Sequence, residues 1–197
     1  MAPVHLEKKA IRALGVAESF REGEKRSTLA AIVMRSDLVI DGFAFGSLEI
    51  SGSDATREIA SMVLKLKRND LNAVLLSGSV LSLYNIVDVD EVSRKIGIPV
   101  VALSFRESSA NLADNIRSRF DRETAESKIR LLEKLGAPKR VVLKTGYAVY
   151  IRSAGISEAE AVRLLDRFTL QGSIPEPVRV ARLLVKSAAA LCREERR

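Results

Sequence analysis

The apolar residues of this chain change their period behind Ile50, and that first change limits the possible folds more than any other feature. Up to Ile50 they alternate with polar residues or gather in short β-branched and aromatic runs. Behind Asp54 they recur at helical spacing, as Ile59, Met62, Val63 and Leu66. Period two turns successive side chains to opposite faces of a strand, whereas a period of 3.6 builds one stripe along a helix. Residues 11–17, 28–34 and 38–50 therefore predict three strands. The link between the last two, Arg35-Ser36-Asp37, is long enough only for a hairpin. Asp54 is a good N-cap for a helix running to about Arg68.

The run Leu71-Asn-Ala-Val-Leu-Leu76 is short and nearly continuous in apolar residues, the pattern of a central strand covered on both faces. A helix over about 87–95 and a second buried strand over 99–103 complete a right-handed parallel unit. The order is then β-β-β-α-β-α-β, the order of a ribonuclease H-like mixed sheet. Beyond Ser104, charged and polar residues predict outer helices to about Glu133. Residues 140–145 and 147–152 predict a hairpin turning at Gly146. Ser157 and Glu160 have the spacing of a capping box, and Pro177 is placed to open a final helix.

A chain of 197 residues, 47% hydrophobic, is long enough to bury one full core, and a single α/β domain over 1–197 is expected. No apolar run approaches the roughly 18 residues of a membrane span, and Met1 to Lys9 lack the apolar centre of a signal peptide, so a cytoplasmic protein is expected. One cysteine, Cys192, and one histidine, His5 near the amino terminus, nearly exclude a zinc cluster, a Cys-His dyad or a Ser-His-Asp triad. High charge content with a single glutamine, Gln171, is the composition of a thermophile.

A net charge of +7 and a pI near 9.7 favour a polyanionic partner, because each phosphate neutralised by Lys or Arg releases condensed counterions. In the final helix Arg179, Arg182, Lys186 and Arg193 align on one face, a stripe able to track a phosphate backbone; a merely solvated face has the same pattern. With 5% aromatic residues and no tryptophan, an aromatic platform for single strands is not expected.

Two stretches resemble endonuclease V, a metal-dependent enzyme that cuts nucleic acid near deaminated adenine. They are Val74-Leu-Leu-Ser-Gly78 and the tail from Ile151 to Val178, which includes Gly155-Ile-Ser-Glu-Ala-Glu-Ala-Val-Arg-Leu-Leu165 and Ile174-Pro-Glu-Pro-Val-Arg179. A closer resemblance is to an uncharacterised archaeal family, domain of unknown function ninety-nine, itself similar to endonuclease V. Its pattern is matched by Gly15-Val-Ala-Glu-Ser-Phe20, Val39-Ile-Asp-Gly42, Asp54-Ala-Thr56 and Leu83-Tyr-Asn-Ile-Val-Asp88. The likeness covers nearly the whole chain and implies an endonuclease V-like fold with Mg²⁺ held by carboxylates. The chain departs from that pattern where it matters. The resemblance implies acids at Ala17, at Ser77 and at Arg182, and leaves Asp54 to represent the glutamate that opens the first helix. Neither alanine nor serine replaces a carboxylate at a Mg²⁺ site, so the ancestral centre is expected to be degenerate.

In this topology the carboxyl ends of several strands share one rim, which gathers Glu18, Asp54, Ser77 and Asp88. Glu18, Asp54 and Asp88 are the candidate catalytic and metal-binding acids, with Mg²⁺ as cofactor if a nuclease survives. Strand alternation opposes this, since it turns Glu18 away from Ala17, and Asp54 and Asp88 are equally explained as helix caps. Tyr84 and Asn85 are candidates for stacking on and hydrogen bonding to a ligand, and Lys144 for a phosphate; a packed aromatic turn and a solvated lysine are the structural alternatives. Asp41-Gly42 reads as a turn or bulge. The expectation is a protein that binds DNA or RNA, spans no membrane, and does not cleave inosine-containing nucleic acid with Mg²⁺. An active Mg²⁺-dependent endonuclease is the alternative. A module binding a small molecule or a protein in the same cleft is a third class.

Overall fold

The computed structural model describes residues 10–21, 23–105 and 111–194. His5 lies outside the described residues, as do the side chains of Cys192 and Arg193. The chain opens with three antiparallel strands, β1 (Arg12–Ser19), β2 (Arg26–Arg35) and β3 (Ile40–Glu49), followed by α1 (Ala55–Lys65) and β4 (Ala73–Leu76). A two-residue hairpin, β5 (Val80–Leu81) with β6 (Asn85–Ile86), precedes α2 (Val89–Ile96) and β7 (Val100–Ser104). Helices α3 (Leu112–Arg119) and α4 (Arg122–Leu135) lead to β8 (Lys139–Val142) and β9 (Ala148–Ala154). Helices α5 (Glu158–Phe168) and α6 (Glu176–Glu194) follow.

The large sheet has the order β3-β2-β1-β4-β7-β9-β8. Strands β4 and β7 run parallel to β1, and β9 returns antiparallel to β7. This is the expected mixed ribonuclease H-like sheet, extended by the final hairpin. Its centre is apolar on both faces because both are covered. Val16, Leu29, Val74, Leu76 and Ala102 pack under α1 and α2, while Ala73, Leu75, Val101 and Leu103 pack under α5 and the start of α6. Most strand boundaries move by one to three residues from the expected ones, and two of the shifts have a visible cause. Leu38 adopts the left-handed region at φ 67° and the β2–β3 register slips between Val33 and Met34, so β3 begins at Ile40. Asp41, at this irregularity, pairs with Arg12 at 2.5 Å and Arg68 at 2.9 Å, which is a structural role. Lys144 lies in the β8–β9 turn rather than in a strand, where Gly146 donates its amide to the Leu143 carbonyl at 2.8 Å. The β5–β6 hairpin escapes a periodicity reading because two residues have no period. Among the described residues, no helix is long and apolar enough to cross a membrane.

Helix α6 lies directly on β1. A Cβ built on Gly15 would stand 2.2 Å from the Pro177 carbonyl carbon and 2.5 Å from the Val178 amide nitrogen. Those are backbone atoms of a helix, which no rotamer change can move. Gly15→Ala is therefore expected to lift α6 from the sheet and to cost about 3 kcal/mol, the upper part of the overpacking range. Chemical denaturation checks this, and an unchanged midpoint would show that α6 is not seated on β1.

Candidate nucleic-acid interface

Strands β1, β3, β4 and β7 run in one direction, so their carboxyl ends share a rim, and alternation decides which face each rim side chain joins. Ala17 pairs with Ala30 and packs with Ala181 and Val185 beneath α6, 1% exposed. Glu18 pairs with Leu29, whose side chain lies in the core under α1. Because β1 continues to Ser19, Glu18 faces away from Ala17 and does not stand in for an acid there.

On the α1 face the rim is a tightly bonded polar joint. Asn85, 0% exposed, donates Nδ2 to the Glu49 carbonyl at 2.9 Å and to Asp54 Oδ1 at 2.6 Å, and its Oδ1 accepts from the Ala55 amide at 3.0 Å. The Asp54 carboxylate does not cap α1, as its position suggested. It turns back to accept from the Glu49 amide at 3.1 Å and lies 3.6 Å from Arg26 Nη2. Glu18 accepts from the Ser82 amide at 2.7 Å and from the Ser82 hydroxyl. Ser82, Leu83 and Tyr84 all have positive φ, an unusual run for residues with side chains. Their carbonyls are held from outside the turn: Ser82 accepts from the Ser51 amide at 2.7 Å and Tyr84 from Lys128 Nζ at 3.0 Å. Lys128 also donates to the Gly52 carbonyl at 2.5 Å and lies 4.8 Å from the centre of the Phe120 ring. Burial pushes its pKa down, against the attraction of Asp54. Sequence reasoning missed Ser82 and Lys128, since nothing in the spacing of an outer helix marks one lysine as reaching back to the rim.

Asp88 caps α2, accepting from the Glu91 amide at 3.0 Å, and pairs with Lys134 at 2.5 Å. Burial raises its pKa, but the Lys134 and Glu91 bonds outweigh that and leave it below the ordinary carboxylate value. Glu18, Asp54 and Asp88 thus each engage donors of the protein itself, two of them beside a cation. Among the described residues, no three His, Cys, Asp or Glu side chains come together as a metal-binding group. Mg²⁺ needs hard oxygen ligands around one point, and these residues do not fit it.

The α6 side of the rim has the opposite character. Arg182 lies with its guanidinium 4.9 Å from the centre of the Phe105 ring. Lys186 and Lys144 are exposed. Arg179 is exposed too, but its Nε donates to Glu176 at 2.8 Å, and Glu176 is buried. Tyr84 packs edge-on against Phe120 at 6.1 Å, and Asn85 has its amide fully engaged inside the joint.

Residues 9–189 match the family model described as endonuclease dU. The chain belongs to the endonuclease dU family. Its curated relatives include UPF0215 proteins of Pyrobaculum aerophilum, 34% identical over 175 residues (89% of this chain, 92% of that one), and of Pyrobaculum calidifontis, 32% identical over 171 residues (87% and 93%). The archaeal family expected from the motifs is therefore the right one. Among solved structures, a protein of unknown function from Archaeoglobus fulgidus is similar with a TM-score of 0.78 at 28% identity, covering 90% of this chain and 98% of that one. Ciona intestinalis endonuclease V in complex with inosine-containing DNA gives 0.60 at 12% identity, covering 93% and 87%. Human ENDOV gives 0.57 at 18% identity, covering 94% and 88%. These last two show the fold: this member of the endonuclease dU family is built like endonuclease V.

The depressed pKa of Asp88 has a consequence for stability. A carboxylate whose folded pKa lies below its unfolded value, about 3.9, stabilises fully above that value and ceases to do so as pH falls through the folded pKa. Asp88→Asn is expected to lower stability at pH 6 and to flatten its fall below about pH 4. Urea unfolding across that range checks both, and a parallel shift of the two curves would contradict the assignment.

Proposed function

We propose that this protein binds nucleic acid along the carboxyl rim of its sheet and the adjoining flank of α6, and that it lacks the three-acid metal centre of an endonuclease V-type cut. The observation that carries this reading is the state of the rim's charges. The acids Glu18, Asp54 and Asp88 are each bonded to protein donors, whereas Arg182, Lys186 and Lys144 have no carboxylate partner among the described residues. With a net charge of +7, such a surface attracts phosphates and not metal ions. The name endonuclease dU points to DNA carrying deoxyuridine as the substrate class. Among the candidates from the sequence, Arg182, Lys186 and Lys144 are the contacts this reading keeps, while Arg179 is engaged by buried Glu176. Tyr84 and Asn85 support the rim from within.

A second reading, an active Mg²⁺-dependent endonuclease working through Asp54 with Glu18 and Asp88, is favoured by the family's name alone. It requires those acids to leave their present partners and converge.

Anisotropy measurements with duplexes containing deoxyuridine, inosine or neither distinguish the two. Binding is expected to weaken steeply between low and physiological salt, each phosphate contact adding about 0.9 to the logarithmic slope. Lys144→Glu, Arg182→Glu and Lys186→Glu together should abolish it. Arg179 is omitted because its loss would strand buried Glu176. No Mg²⁺- or Mn²⁺-dependent strand cleavage is expected. Cleavage that vanishes in Asp54→Asn would establish the second reading, and absence of binding at low salt would end the first.

A further inference from the structure

The sheet sorts the rim's charges by face, and the sorting has chemical content. Leu76 of β4 is in register with Val16 of β1 and with Ala102 of β7, so the three strands end side by side. On the α6 face the side chains that close these strands are Ala17, Ser77 and Phe105, none of them acidic. Glu18 and Asp54 lie on the other face, bonded to Ser82 and Asn85. The charge that α6 brings to its side of the rim is Arg182, beside the Ala181 that packs on Ala17.

Resting on the nucleic-acid reading above, we infer that Arg182 is a direct phosphate contact that works without a metal ion, held for that purpose by Phe105. Its guanidinium lies over the ring at 4.9 Å. A cation–ring contact uses no carboxylate or carbonyl acceptor, so the guanidinium keeps N–H groups for the two oxygens of a phosphate. Contact with the ring also restricts the side chain before a ligand arrives, which lowers the rotamer entropy lost on binding. Arg179, three residues earlier, is the contrast: its charge is bound to buried Glu176. Among the described residues no carboxylate pairs with Arg182. A phosphate at this point therefore meets a cation that the chain already holds, where a carboxylate cradle would have to recruit one.

The test uses the whole chain and a short labelled duplex containing deoxyuridine, titrated over a salt series in EDTA and again in Mg²⁺. Mg²⁺ should not tighten binding, and as a divalent counterion it should weaken it as added salt does. Arg182→Met should lower the logarithmic salt slope by about 0.9, one phosphate contact. Arg182→Lys should keep the slope and bind less tightly, because an ammonium lacks the planar fork. Phe105→Leu should also keep the slope and weaken binding. Loss of binding in EDTA with recovery in Mg²⁺ would overturn the inference without any variant. An Arg182→Met protein that melts like the wild type and keeps its slope would also overturn it, leaving nucleic-acid binding in place. A wild type that binds nothing would remove the functional reading itself.

Discussion

The contact on which the rest of the molecule depends is the seat of α6 on β1. At Gly15 the helix backbone occupies the space a Cβ would need, and on either side of it β1 offers only Ala13 and Ala17 to that face. A column of the smallest side chains lets a helix approach a sheet more closely than branched residues would, and the gain is dense packing under Ala181 and Val185. The same approach decides where the positive flank of the helix goes. With Val178, Ala181 and Val185 turned to the sheet, the residue after Ala181 falls on the rim at the end of β7. The site is in this sense a by-product of packing.

The opposite face of the rim is organised by Asn85. Its three hydrogen bonds tie the end of β3 and the start of α1 to the β5–β6 hairpin, across sequence separations of 30, 36 and 31 residues. Next to it the left-handed run from Ser82 to Tyr84 costs on the order of 1–3 kcal/mol per residue and persists only because its surroundings over-determine it. Glu18, Ser51 and Lys128 supply that determination from three other elements. Glu18, which resembles a catalytic candidate when read along the chain, is here an acceptor that holds a strained turn in place. Removing a buried acceptor or donor from such a joint costs more than the bond itself, because its partner is left unsatisfied.

Kinship with endonuclease V in fold therefore coexists with a different distribution of charge. A fold supplies positions, and the residues at those positions supply chemistry. In this chain the positions at the ends of β1 and β4 on the α6 face are neutral, and the nearby helix contributes a cation.

The sequence by itself determined the backbone order and the orientation of the strands. The change from period two to period 3.6 at Asp54, the continuous apolar run ending at Leu76, the Ser157 capping box and the proline opening α6 are local signals, each set by nearest neighbours along the chain. Alternation alone also turned Glu18 away from Ala17. What only the tertiary structure decided is which polar groups meet. Asp54 stands where an N-cap stands and was legible as one, yet its carboxylate faces Glu49 and Asn85 because a partner thirty-one residues away offers a better-placed donor than the helix amides do. Lys128 and Ser82 had no signal, since a buried hydrogen bond leaves no period in sequence. The partnership of Arg182 with Phe105, and of Arg179 with Glu176, separates two arginines that look equivalent on a helical wheel. Spacing fixes the face of a helix; what lies opposite that face depends on where the other elements pack.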